Sequence, residues 1–209
     1  RFVALYEVRD PGNLGTVIRT ADAAGCDGVI LIGTTCDPFS IETVRATMGS
    51  LFAMRIAATS FEDFNAWRAT ADARMIAASM RGDHAHDKAT YGERSIILMG
   101  NEQSGLPPDV EAACDELVRI PMKGVVESLN VSVASALVLY EAQRQRDLAG
   151  MYDREESMLP KEYINKVLFE RGHPVLAKVA KRKGLKLPQL DETGQIVADE
   201  AWWARMQAA

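Results

Sequence analysis

Six short apolar runs, separated by polar or helix-patterned stretches, constrain the fold of this chain more than any other feature. Residues 2–8 (FVALYEV), 28–33 (GVILIG), 54–59 (MRIAAT), 74–80 (RMIAASM), 95–100 (SIILMG) and 117–120 (LVRI) read as strands. Between the first two, residues 13–25 (NLGTVIRTADAAG) place Leu14, Val17, Ile18, Ala21 and Ala24 on one helical side, with Gly25 as the C-cap. Residues 40–48 and 61–71 also read as helices, and residues 81–94 as a polar loop. Parallel neighbours need crossover connections, so strands alternating with helices predict an α/β domain with a mostly parallel sheet. Ligands of such sheets bind beyond the carboxyl ends of the strands. That rule selects four loops: residues 9–15, 79–82, 100–105 and 121–128.

The last of these loops belongs to the most informative stretch, residues 117–146 (LVRIPMKGVVESLNVSVASALVLYEAQRQR). Pro121 ends its strand by removing a ladder donor. A polar loop with Lys123, Gly124, Glu127 and Ser128 follows. Leu129, Val133, Ala136, Leu137 and Tyr140 then recur at spacings of three and four, one apolar face of a helix reaching Arg146. Ser128 and Asn130 stand where they can cap its free amides. Taken alone, this is a capped helix after a strand and a loop.

Composition narrows the class. The chain has 209 residues, 47% hydrophobic and 25% charged, which suits one globular domain with a sizeable core and room for an appendage. No run of 18 apolar residues exists, so no membrane partner is expected. The sequence opens in a strand without an export signal, and its first residue is not Met, which suggests an omitted upstream segment. Cys26, Cys36 and Cys114 are scattered, odd in number and outside CxxC spacing, as reduced cytoplasmic thiols are. The net charge of −5 does not mark a nucleic-acid binder, yet a local basic face is compatible with it. Such a face is present between residues 161 and 186, where eight Lys and Arg residues meet only Glu162 and Glu170.

Residues 10–25 (DPGNLGTVIRTADAAG) lack the G-x-G-x-x-G of dinucleotide sites, and no G-x-x-x-x-G-K-[ST] occurs anywhere. A dinucleotide-dependent oxidoreductase thereby loses its main support. Three segments instead resemble, in order, the signature motifs of the SpoU/TrmH ribose 2'-O-methyltransferases of the SPOUT superfamily. They are DPGNLGTVIRTADAAG, ILMGNEQSGLP (residues 97–107) and IPMKGVVESLNVSVASALVLYE (residues 120–141). The resemblance covers residues 1–146.

It implies properties that spacing alone does not reveal. The expected fold is a SPOUT α/β domain over residues 1–149, with helices on both faces of the sheet and a deep trefoil knot over residues 95–146. Threaded chains are very rare, so this expectation rests on the family alone. The implied cofactor is S-adenosyl-L-methionine, leaving as S-adenosyl-L-homocysteine. By position it is held by Ser79, Met80, Leu98, Gly100, Asn101, Ile120, Met122, Ser128 and Leu129. The implied catalytic set is Arg19, Asn13, Glu102, Ser128 and Asn130. Arg19 is the key position: a guanidinium with a pKa above about 12 is a poor base, so it binds phosphate and polarises the ribose hydroxyl or, in another reading, deprotonates it. A homodimer is implied as well.

Residues 150–209 resemble the C-terminal extension of the bacterial tRNA guanosine-18 branch of that family, in RQRDLAGMYDREESMLP, GHPVLAKVAKRKGLKLP and WWARMQ. Pro174 and Gly184 bracket a short basic helix, and Lys178, Lys181, Arg182, Lys183 and Lys186 are the expected phosphate contacts. The RNA partner implied is therefore tRNA, with ribosomal RNA and a non-catalytic RNA-binding relative as alternatives. The front half, residues 26–56, looks more like the broad family. Asp83, His84, His86 and Asp87 have metal-ligating side chains but sit in a polar loop without an apolar frame, so no metal is expected. Trp202 and Trp203 are read as anchors of a C-terminal helix against the domain.

Overall fold

A computed structural model describes residues 1–153 and 159–207. The chain divides into two compact units, Arg1–Asp153 and Arg154–Ala209.

The first unit is built on a seven-stranded sheet, ordered β3-β2-β1-β6-β4-β7-β5, in which every pair is parallel. Its strands are β1 (Phe2–Tyr6), β2 (Gly28–Ile32), β3 (Ile56–Thr59), β4 (Arg74–Ala78), β5 (His84–Ala85), β6 (Ser95–Met99) and β7 (Glu116–Arg119). Its helices are α1 (Pro11–Ala23), α2 (Ile41–Ala46), α3 (Phe61–Ala71), α4 (Pro108–Ala112) and α5 (Val131–Leu148). The central strands are buried on both faces, which is why they read as continuous apolar runs. Alternate side chains of β1 part company as the pleat demands. Val3 and Leu5 join a core with Leu14, Val17, Ile18 and Ala21 of α1 and Val138, Leu139 and Ala142 of α5. Ala4 faces the other side, in a core with Phe64 of α3 and Val110 of α4. Helices thus cover both faces.

Two stretches differ from the sequence reading. Residues 81–94 are not merely a polar loop: they contain β5, a short 3-10 turn at His86–Lys88, and Tyr91, which is fully buried. The chain leaves β4, forms β5 beyond β7, and returns to form β6 between β1 and β4. Tyr91 is held inside by its hydroxyl, which donates to the carbonyl of His86 at 2.8 Å, and by its backbone N–H, which donates to Gln145 Oε1 at 3.2 Å. The second difference concerns α5. Its buried face is Val131, Ser132, Ser135, Val138, Leu139 and Ala142, whereas Val133, Leu137 and Tyr140 are 41–50% exposed. The apolar stripe legible in the sequence lies on the outside of the unit. The buried serines are accommodated because Ser135 Oγ returns to the carbonyl of Val131 and Ser132 Oγ donates to Asn130.

Where residues 79–84 pass β7, the backbones nearly touch. A Cβ on Gly82 would lie 2.4 Å from the carbonyl carbon of Val118 and 2.5 Å from the nitrogen of Arg119. Arg119 fixes the crossing by donating from Nη1 to the carbonyls of Gly82 and Asp83 at 2.7 and 2.8 Å.

The second unit comprises α6 (Lys161–Gly172), α7 (Pro174–Arg182), the antiparallel pair β8 (Gln189–Leu190) and β9 (Ile196–Val197), and α8 (Glu200–Gln207). It has its own core of Phe169, Ala180, Trp202 and Met206. Trp202 is therefore an anchor within this unit, its Nε1 donating to the carbonyl of Lys186 at 3.0 Å, while Trp203 is partly exposed.

The crossing yields a stability prediction. Gly82→Ala must displace backbone rather than a flexible side chain, and is expected to cost about 3 kcal/mol, lowering the melting temperature by roughly 6–12 °C. Gly124→Ala, where nothing stands within 4 Å of the new methyl, is expected to leave it unchanged. Equal melting curves for the two variants would contradict this account of the crossing.

Candidate functional site

Because every strand runs the same way, the loops after β1, β4, β6 and β7 gather at one edge of the sheet. There the loops after β4, β6 and β7 line a cavity of about 270 Å³. Its walls come from Ala78–Arg81, Met99–Leu106, Glu111, Ile120, Met122 and Glu127–Leu129. Apolar surface is supplied by Met99, Leu106, Ile120, Met122 and Leu129, and polar groups by the loop after β6. That loop is tight. Gly105 has φ +68°, a conformation glycine tolerates best, and a Cβ on Gly100 would strike the backbone of Gly105 at 2.5 Å. Asn101 closes the turn by pairing with Gly105, and its Oδ1 accepts from the N–H groups of Gln103 and Ser104 at 2.9 and 3.2 Å.

Beside the cavity, a polar network joins three of the selected loops. Asn130 is the N-cap of α5, its Oδ1 accepting from Ser132 N at 2.8 Å. Its Nδ2 donates to Asn13 Oδ1 at 2.9 Å, and Asn13 Nδ2 donates to Glu102 Oε1 at 3.3 Å. Asp10 caps α1 by accepting from Asn13 N at 2.6 Å. Asn101 Nδ2 ties the network to β1 by donating to the carbonyl of Glu7 at 2.7 Å. Glu7 itself sits at φ +50°, costly for a residue with a Cβ. Two helix N-termini, of α1 and α5, therefore converge here, the first facing the carboxylates of Asp10 and Glu102 and the second capped by the neutral Asn130. The nearby thiol of Cys36 is pushed up by burial first, with the charges of Asp10 and Glu102 adding to it.

The expected cofactor residues largely assemble. Ser79, Met80, Gly100, Asn101, Ile120, Met122, Ser128 and Leu129 all line the cavity. Leu98 does not: it is fully buried in β6, facing the core that contains Phe64 and Val110. Of the expected catalytic set, Asn13, Glu102 and Asn130 form the network, and Ser128 stands on the cavity rim. Ser128 is not the cap of α5, since Asn130 fills that role. Arg19 is not part of the assembly. It is exposed on α1, six residues beyond Asn13, and makes no hydrogen bond or ion pair among the described residues.

The basic residues of the second unit divide. Lys178, Lys181 and Arg182 are exposed on or at the end of α7. Lys183 is partly withdrawn, its ammonium donating to the carbonyls of Arg205 and Met206 at the end of α8. Lys186 is exposed, with Glu162 at 3.9 Å. In the loop of Asp83, His84, His86 and Asp87, the His84 ring contacts the Glu116 carboxylate.

Among the cavity residues not named as site residues from the sequence are the charged Arg81 and Glu111. Arg81 follows directly on Ser79 and Met80 and was within reach of the same argument. Glu111 lies on α4, a five-residue helix with no periodicity to betray it.

Comparison with known proteins agrees with this geometry. A model of the SpoU rRNA Methylase family matches residues 1–140, and one of its C-terminal region (SpoU, rRNA methylase, C-terminal) matches residues 144–199. A tRNA (guanosine(18)-2'-O)-methyltransferase of Escherichia coli K12 is 44% identical over 99% of this chain and 90% of its own length. A 23S rRNA (guanosine(2553)-2'-O)-methyltransferase of Bacillus subtilis is 33% identical over 64% of this chain and 54% of its own. Among solved structures, an AdoMet-bound rRNA methyltransferase from Sinorhizobium meliloti is 50% identical with a TM-score of 0.66, covering 68% of this chain. This chain spans 55% of that protein's length. With matching residues across both units, and with loops that converge on one cavity, the chain belongs to the SpoU methylase family.

Proposed function

We propose that this chain is an S-adenosylmethionine-dependent RNA ribose 2'-O-methyltransferase whose substrate is tRNA, at guanosine 18 of the D-loop. The observation that carries the reading is the extent of the similarity to the Escherichia coli tRNA enzyme, which runs through the C-terminal unit as well as the sheet. The Bacillus subtilis ribosomal RNA enzyme matches only 64% of the chain.

In this reading the nucleoside part of the cofactor occupies the cavity, with Ile120, Met122 and Leu129 against the base and Ser79, Met80, Gly100, Asn101 and Ser128 around its polar atoms. The sulfonium supplies the methyl group. The cavity and the polar network beside it would hold the ribose 2'-hydroxyl in line with that methyl, its proton passing to solvent water. Holding the oxygen against the methyl supplies about 7–11 kcal/mol of the barrier reduction in well-oriented reactions. Asn13, Glu102 and Asn130 orient the ribose through their hydrogen-bond network, and the N-terminus of α5, capped by the neutral Asn130, favours a neighbouring phosphate. Arg19 binds the phosphate of the target nucleotide and polarises its hydroxyl.

The same reading includes a deep trefoil knot over residues 95–146, in which β7 and α5 pass within the arc of residues 79–94. The close crossing at Gly82 supports it. It includes a homodimer as well, closed over Val133, Leu137 and Tyr140 of α5, an exposed apolar stripe. Residues 1–149 form the methyl-transfer part, and residues 150–209 hold tRNA through Lys178, Lys181, Arg182 and Lys186. Lys183 has the smaller share because it is engaged with α8. Such an enzyme works in the cytoplasm, and among the described residues no helix is long and apolar enough to cross a membrane. A second reading, ribosomal RNA as substrate, is favoured by the Sinorhizobium meliloti structure.

The deciding experiment transfers a labelled methyl group to unmodified tRNA and, separately, to ribosomal RNA. 2'-O-methylguanosine in tRNA alone is the expected product; label in ribosomal RNA alone selects the second reading. Arg19→Ala is expected to slow transfer by at least about a hundredfold, the scale of losing a charge-stabilising donor, with S-adenosylhomocysteine affinity unchanged. Parent-rate transfer by that variant removes Arg19 from the mechanism. Replacing Lys178, Lys181 and Arg182 by Ala should reduce the slope of log affinity for tRNA against log salt by about 2–3, nearly one per phosphate contact. Leu137→Arg is expected to sediment as a monomer with unaltered far-UV circular dichroism.

A further inference from the structure

Glu111 is a buried carboxylate with unused acceptor capacity on the wall of the cavity. Its residue is 8% exposed, unlike Glu102 and Glu127, which are exposed at the rim. Acidic side chains are almost never buried unless paired, and Glu111 has two partners. Its Oε1 accepts from Ser79 Oγ at 2.6 Å, and its Oε2 faces Arg81 Nε at 3.1 Å. Both partners line the same cavity. A carboxylate offers about four lone-pair positions, so two are left for donors arriving in the cavity. Arg81, whose side chain is 62% exposed, anchors the carboxylate through Oε2.

We infer that Glu111 positions the cofactor by accepting hydrogen bonds from the two ribose hydroxyls of its adenosine. This rests on the cofactor reading above. The chemistry of the cofactor's parts selects the sugar. Its adenine offers donors only at one amino group and is served by apolar walls. Its amino-acid tail carries a carboxylate that Glu111 repels and an ammonium that is costly to strip of water. The cavity, at about 270 Å³, is at the lower end of small-molecule sites, so the charged tail stays at the open mouth while the nucleoside takes the inner wall. A vicinal diol on an acidic side chain is also how parallel-sheet proteins hold other adenosine cofactors. Glu111 touches the sugar and not the reacting atoms, and its effect belongs in binding.

The test is calorimetric titration of the full chain, without RNA, using S-adenosylhomocysteine and its 2',3'-dideoxyribose analogue. Wild-type protein is expected to prefer the parent ligand by tenfold or more. Glu111→Gln is expected to bind the parent about tenfold more weakly, to bind the dideoxy analogue as wild type does, and so to show little preference. Glu111→Asp, which keeps the charge but withdraws it by one methylene, should fall between the two. A merely structural role for Glu111 predicts that both ligands weaken together, and an undiminished preference in Glu111→Gln overturns the proposal. So does a wild-type preference below about threefold, whatever the variants do. Wild-type protein that binds neither ligand removes the cofactor reading itself, an outcome distinct from loss of discrimination.

Discussion

The crossing of residue 82 over β7 is the contact on which the site depends. No side chain fits between the two backbones there, since even a methyl group would lie within 2.5 Å of Val118 and Arg119. The strand before the crossing, β4, and the strand crossed, β7, are direct neighbours, and the loops that follow them, residues 79–81 and 120–129, are opposite walls of the cavity. Packing that leaves no gap transmits position. The return leg is held as firmly. Gln145 Nε2 donates to the carbonyl of Ala89, and Arg146 Nη1 donates to the carbonyls of Gly92 and Glu93, so α5 is strapped by the segment that reaches over it. A site assembled from four loops needs such a frame, because small errors in the placement of reacting groups are expensive in rate.

That frame also explains where irregular backbone is tolerated. Glu7, at φ +50°, ends β1 and offers its carbonyl to Asn101, while Asn101 simultaneously closes the turn after β6. One asparagine thereby couples two neighbouring strand ends. Through Glu102, Asn13 and Asn130 the coupling continues to the starts of α1 and α5. Much of this network is exposed, so each hydrogen bond contributes little to stability, about 0.5–1.5 kcal/mol or less. Its effect is on orientation.

The sheet was legible because its strands are apolar on both faces and punctuated by turns. The loops were legible as locations, through the rule about carboxyl ends, and their residues through the family motifs. What eluded the sequence was decided by tertiary context. Residues 81–94 have too few apolar positions to announce a strand, yet β5 forms because the exposed edge of β7 offers partners, and Tyr91 is buried because Gln145 is there to meet it. On α5 the periodicity identified a real apolar stripe, and the structure leaves it exposed. Spacing reports which residues share a face, and not what covers that face. Leu98 lies within β6, where the pleat turns its side chain to the core with Phe64 and Val110.

Arg19 shows how far one chain can go toward the proposed reaction. Six residues separate it from Asn13, a rise of about 9 Å along the helix and a turn of roughly 120° around it. It therefore cannot join the Asn13–Glu102–Asn130 network from its place on α1 without unwinding the helix whose Leu14, Val17 and Ile18 are fully buried. The face of α1 that carries Arg19 also exposes Thr16, whereas α5 packs on the buried side of α1 and exposes its own apolar stripe of Val133, Leu137 and Tyr140. Among the described residues the Arg19 guanidinium has no carboxylate partner, and the α5 stripe is exposed. In the dimer proposed above, a second copy would close that stripe. On that proposal the reaction centre is finished by association rather than by folding alone.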